Sequence, residues 1–175
     1  MSFSTYSASA PIFLRSLGNM LGWLDKAQSH AEANCFDADN YLGMRLSPGM
    51  LPLSRQIQIA TDSAKNCVAR IRGVEPPSWP DDEASLDALR GRIQKAIDYL
   101  HSIPSTELEG AEARTVQMPA GPEITLSFTG EAFLTGFSIP NFFFHMSMTY
   151  ALLRQGGVDL GKMDYLGQLD TIESD

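Results

Sequence analysis

Thr129–Gln155, TGEAFLTGFSIPNFFFHMSMTYALLRQ, is the most apolar run of the chain, and its spacing predicts a helix buried almost all round. One track on it is polar. Ser138, Asn141, His145 and Thr149 recur at i, i+3, i+7 and i+11, within about 80° of arc, with Leu134 and Leu152 closing the track at its ends. A buried polar group left unpaired costs roughly 1–3 kcal/mol. The ladder therefore needs partners, either in a structural hydrogen-bond network or as the wall of a site. Pro140 removes one backbone hydrogen bond and crowds the carbonyl of Gly136, which predicts a kink just before Asn141.

A helix this apolar needs other helices around it, and three more amphipathic stripes supply them. The first predicted helix, Ser7–Ala33, carries Phe13, Leu17, Met20, Leu21, Leu24, Ala27 and Ala31 on one face, with Trp23 and His30 on its border. A short helical piece follows over Asp37–Leu46, with Asp37 as its cap. The second helix, Pro52–Arg72, buries Leu53, Ile57, Ala60, Ala64, Cys67, Val68 and Ile71. Gln56, Thr61 and Ser63 border that stripe. Gln58 and Asp62 fall on the far face with Arg55 and Lys65, which reads as solvated surface with local ion pairs. Cys67 lies inside the stripe and reads as a small core residue, not a nucleophile. Gly73 suits a left-handed cap. VEPPSWP then excludes helix, and Asp81 or Asp82 is the expected start of a third helix reaching Ile103, with His101 on the border of its apolar face.

Ala113–Phe128 has a different period. Val116 and Met118, then Ile124, Leu126 and Phe128, alternate with polar residues around Pro119–Pro122, which predicts a β-hairpin at about 113–128. A lone hairpin is marginal in water, so its apolar face must lie against the bundle or a partner chain. In the tail, 158–175, Leu160, Met163, Tyr165 and Leu166 predict a segment folded back over one end of the bundle, with Lys162, Asp164 and Tyr165 in contact with it; beyond Gly167 fraying is expected.

Composition restricts the function classes. A net charge of −8 argues against phosphate-backbone binding, so no nucleic-acid partner is expected. Two cysteines make no disulfide framework, and neither a signal peptide nor a membrane-length apolar run is recognisable, which together predict a cytoplasmic protein with no membrane partner. No CxxC, P-loop, GxGxxG, HExxH or GxSxG is present. The expectation is an all-α chain with a small hairpin, 1–175 forming one four-helix-bundle domain.

YSASAPIFLRSLGNMLGWLDKAQSHA, MLPLSRQIQIATDSAK, GVEPPSW and IPNFFFHMSMTYALLRQGGVDLGKMDYLG together span nearly the whole chain. Through them the chain resembles the DinB/YfiT-like helical bundle superfamily and, more narrowly, an uncharacterised bacterial family within it. The resemblance implies a DinB-like four-helix bundle. In the wider superfamily it also implies divalent-metal sites built from one histidine of the second helix and an HxxxH pair of the fourth, and some members are thiol-dependent transferases or isomerases. Here only His145 has a place in that pattern. Thr149 stands where the second histidine of the pair would be, and the second helix offers Gln56, Gln58 or Asp62 instead of histidine.

Three readings of function are open at this point. The first is a small-molecule-binding protein or enzyme whose pocket is walled by Ser138, Asn141 and Thr149, with Gln56 and Ser63 approaching from the second helix and His145 as general acid or base. The second is a non-catalytic homodimer with a structural polar network, Phe143 and Tyr150 forming the subunit interface. The third, implied by the resemblance, is a metal-dependent, thiol-transferase-like enzyme with His145 among the ligands of a divalent ion.

Overall fold

The computed structural model describes residues 4–169. Helix α1 (Ala10–Ala33) begins three residues later than its hydrophobic spacing predicts, with Pro11 in its first turn, where a missing N–H costs nothing. A 3₁₀ turn, Ala38–Tyr41, follows, and Asp37 caps it by accepting from the Asp39 N–H at 2.9 Å. Helix α2 (Leu53–Arg72) ends at Gly73, whose φ of 81° is the left-handed cap expected there.

The third helix differs from expectation at its start. α3 spans Leu86–His101, and its cap is Ser85, whose hydroxyl accepts the Ala88 N–H at 3.0 Å. Asp81 and Asp82 lie outside it, and Asp81 is held by Arg55 and Arg92. Acid at that helix end comes from Asp87 in its own first turn and from a distant turn, where Asp39 accepts the Leu86 N–H at 2.7 Å.

Strands β1 (Thr115–Pro119) and β2 (Thr125–Thr129) pair antiparallel, with Val116 opposite Phe128 and Met118 opposite Leu126. Val116, Met118 and Phe128 pack on the bundle, while Leu126 and Ile124 stay exposed towards the tip. Gly130 follows directly. A side chain there would meet the Ala111 carbonyl oxygen at 1.9 Å, so this crossing requires glycine.

The long apolar stretch is a broken helix: α4 (Gly130–Phe133), one π-helical turn (Leu134–Ser138) and α5 (Ile139–Gln155). The break lies one turn before the kink expected at Pro140, and two facts account for it. Pro140 has no N–H to give Gly136, so the backbone ladder is already open there. The hydrophobic phases of the two halves also disagree. Counting back from buried Phe142 at 100° per residue, a continuous helix would turn Thr135 and Glu131 inward and Phe133 outward. The observed inward residues are Phe133, Leu134 and Gly130, one position out of step, and a π-turn supplies the extra residue.

Helix α6 (Lys162–Leu166) packs along α1. Trp23 Nε1 donates to the Asp164 carbonyl at 2.9 Å, Lys26 meets the Asp164 carboxylate at 2.7 Å, and Tyr165 stacks on Trp23 with ring centroids 5.7 Å apart. Gln168 and Leu169 are exposed; the remainder of the expected frayed tail, from 170, lies outside the described residues. The core runs through all the long helices. α2 makes its most extensive packing with α5 and lies against α3 on its other side. Among the described residues no helix is long and apolar enough to cross a membrane.

Phe143 and Tyr150 are not the exposed aromatics expected. Both are half-buried against the core, Phe143 edge-on to Phe142 and Tyr150 donating to the Leu160 carbonyl at 3.2 Å. Phe144, 52% exposed, and Phe137 take the outward positions of the broken helix.

Candidate site at the α2–α5 seam

The polar ladder meets α2 in three antiparallel rungs. Gln56, Ser63 and Cys67, spaced i, i+7, i+11, face His145, Asn141 and Ser138, spaced i, i−4, i−7. Gln56 Nε2 donates to the Leu51 carbonyl at 3.1 Å, which fixes the amide so that Oε1 faces His145. His145 Nδ1–H donates to that oxygen at 2.7 Å. Burial lowers the imidazole pKa, so the ring is neutral near pH 7 and Nε2 carries the lone pair. His145 is buried, 8% exposed. The edge of Phe144 abuts the ring, centroids 5.1 Å apart.

In the second rung Asn141 Nδ2 donates to Ser63 Oγ at 2.7 Å, and the Ser63 hydroxyl donates in turn to the Ile59 carbonyl at 2.7 Å. The amide oxygen of Asn141 has no hydrogen-bond partner among the described residues. In the third, burial pushes the Cys67 thiol up to about 12, and a hydrogen bond with Ser138 offsets only part of that. Cys67 is therefore a protonated core thiol. Thr149 forms no rung. Its hydroxyl donates to the His145 carbonyl of its own helix at 3.0 Å, so it orients neither the imidazole nor a ligand.

Beside the upper two rungs, where the π-turn widens the helix, lies a cleft of about 330 Å³. Ser63, Asn66 and Arg70 of α2 line it with Ser138 and Asn141; Phe133, Phe137 and Met118 form its apolar side. Of the six residues expected at one pocket, Ser63, Ser138 and Asn141 come together here. Gln56, His145 and Thr149 lie further along the seam and do not line the cleft. A larger hollow of about 490 Å³, between the N-terminal turn and Glu109–Glu112, contains none of the ladder.

Next to the cleft is a cluster that helical spacing misplaced on a solvated face. Arg92, 3% exposed, donates from Nε to Thr61 Oγ1 at 2.8 Å and from Nη1 to the Pro80 carbonyl at 2.8 Å and Glu83 at 2.9 Å. Its Nη2 lies 3.1 Å from Asp62 and 2.9 Å from Asp81. Lys65 is equally buried, 2.8 Å from Asp62 and over the Trp79 ring at 4.3 Å. Gln58 is buried as well, donating to Glu83 at 2.7 Å. Asp62 Oδ1 and Arg92 Nη2 are closed off from water and compensated by charge contacts without aligned hydrogen bonds. Burial raises the Asp81 carboxyl, but hydrogen bonding and charge from Arg55 and Arg92 outweigh it and hold it below the ordinary carboxylate value. The sequence signal was an arginine at i+3 from Leu89 and i−4 from Ala96, facing the acidic run Asp81-Asp82-Glu83.

The residues present do not fit the divalent-metal site that the fold resemblance implies. Among the described residues no three His, Cys, Asp or Glu side chains gather around one point. His145 Nδ1 is taken by Gln56, Thr149 is bound to its own helix, and Asp62 is engaged by Lys65 and Arg92.

Residues 5–166 match the family described as domain of unknown function DUF1993. Among solved structures, a DinB family member protein from Shewanella denitrificans is similar, at 34% identity over 97% of this chain and 95% of that one, with a TM-score of 0.89. The curated proteins hold no match to this chain.

Proposed function

Since the chain belongs to the DUF1993 family and has a DinB-like fold, with the metal donors of that fold's wider superfamily missing from its seam, we propose that it binds a small organic molecule in the cleft between α2 and the broken helix. The observation that carries this reading is the hydrogen-bonding capacity left over in the cleft. Asn141 spends one N–H on Ser63 and keeps its amide oxygen, and Asn66 has no hydrogen-bond partner among the described residues. Both amides are half-buried on the cleft wall, where that spare capacity is open to a ligand. A thermal-shift screen of small polar metabolites tests it, with hits repeated on Asn141→Leu. Ligands that stabilise the parent protein but not this variant support the reading; hits indifferent to the substitution refute it.

A second reading, in which the seam performs proton transfer, is favoured by His145. Its Nδ1–H is fixed by Gln56 and its Nε2 keeps a neutral lone pair, the arrangement of a general base. His145→Gln would then abolish turnover of any substrate found while leaving its binding intact. Loss of binding without any turnover in the parent protein argues against it.

A further inference from the structure

The cleft holds two charged side chains of α2, two helical turns apart, and they are in different states. Asp62 places Oδ1 within 2.8 Å of Lys65 Nζ and 3.1 Å of Arg92 Nη2, so its charge is already met by two buried cations. Arg70, at the hairpin end, has no carboxylate within ion-pair distance among the described residues. Its Nη1 donates to the carbonyl of Gln117 at 3.0 Å, a neutral acceptor that pins the guanidinium without neutralising it. A chain of net charge −8 thus keeps a half-buried cation without an ion pair in the cleft, with Glu75 beside it only in the neighbouring hollow. A guanidinium with one N–H spent still has donors for a carboxylate, which it grips through paired, charge-assisted bonds. The cleft is also lined by apolar Phe133, Phe137 and Met118 and by the Asn66 and Asn141 amides. At about 330 Å³ the volume is at the small end of ligand pockets, which run about 300–1,000 Å³.

Resting on the cleft reading above, we propose that the ligand is a small carboxylic acid with an apolar body: the carboxylate on Arg70, the body against Phe133 and Phe137. Three probes of one skeleton test it by calorimetry: phenylacetate, phenylacetamide and phenethylamine. Phenylacetate binds most tightly and weakens with added sodium chloride. Arg70→Gln weakens it roughly ten- to a hundredfold, the range for a charge-assisted pair, and leaves phenylacetamide unchanged. Arg70→Lys, which keeps the charge and loses the fork, falls between them and guards against a folding defect in the first variant. Phenethylamine binding as well as the acid, or acid binding indifferent to Arg70→Gln, overturns the proposal. Phenylacetamide binding that needs Asn141, with no preference for the acid, overturns the anion specificity and leaves the cleft reading standing. No binding by any of the three overturns the proposal, while the cleft reading is decided separately by the metabolite screen.

Discussion

Replacing Arg92 by Met removes the hub of the charge cluster while keeping most of its buried stem. The guanidinium touches Thr61, Pro80, Asp62, Asp81 and Glu83, and its side chain is shut off from water. Breaking one partner out of a buried ion pair costs about 3–5 kcal/mol, because the carboxylates left behind are still desolvated. Lys65 and Arg55 remain beside Asp62 and Asp81, which points to the lower part of that range. Against a total stability of about 5–15 kcal/mol this is a large loss, worth about 6–15 °C in Tm for a chain of this size. Urea unfolding at pH 7 followed by circular dichroism would show it as a lowered midpoint at unchanged slope. Asp81→Asn added to Arg92→Met should recover part of the loss by removing one stranded charge. Acid should narrow the gap. The folded Asp81 pKa lies below its unfolded value, so its contribution is complete above about pH 4 and disappears as pH falls through the folded value. A loss under about 1 kcal/mol at pH 7 would refute the reasoning, since the carboxylates would then be regaining water at no cost.

Other predictions concern the seam and the ends of the bundle. Because burial lowers the folded His145 pKa, the unfolded chain takes up the proton first; stability should fall as pH drops below about 6.5, and His145→Gln should flatten that slope in urea melts between pH 7 and 5. In the native protein a thiol reagent such as Ellman's should label exposed Cys35 quickly and reach Cys67 only on unfolding; rapid labelling of both would contradict the buried, protonated thiol. Truncation after Gly157 removes the α6 cover from Trp23, so its fluorescence should shift to the red and a dye such as ANS should bind, while unchanged spectra would show the tail to be dispensable. Gly130→Ala should lower Tm by several degrees, as the Ala111 carbonyl must move to admit the methyl group, with scanning calorimetry as the check.

Much of this architecture is readable in the residue spacing. The four apolar stripes, the period-two hairpin, the Gly73 cap and the folded-back tail each depend on local patterns, and they form as those patterns require. The misreadings share a different cause. Gln58 and Lys65 looked solvated on a helical wheel, but the wheel carries no information about the Pro-rich link that lies over them and brings Asp81 and Glu83. The same link drew its acids away from capping α3, leaving that role to Ser85. At the seam, spacing placed Ser138, Asn141 and His145 on one face correctly, yet could not show that Thr149 would turn back to its own helix. The phase mismatch between Phe133 and Phe142 is legible in the sequence beside Pro140, and the break answers to both.

The π-turn also governs how this segment tolerates change in length. A surface loop absorbs a lost residue by tightening; here the loss of one residue from Leu134–Ser138 would close the π-turn into ordinary α-helix and keep both apolar faces in register. The gain of one residue has no such outlet: α4 and the hairpin would turn by about 100° relative to α5 and carry Phe133 and Leu134 off the inner side. The segment works as a gear tooth between two apolar faces cut to different phases. Length is therefore constrained in one direction across these five positions, and the identity of the exposed residues among them, such as Thr135 and Gly136, is comparatively free.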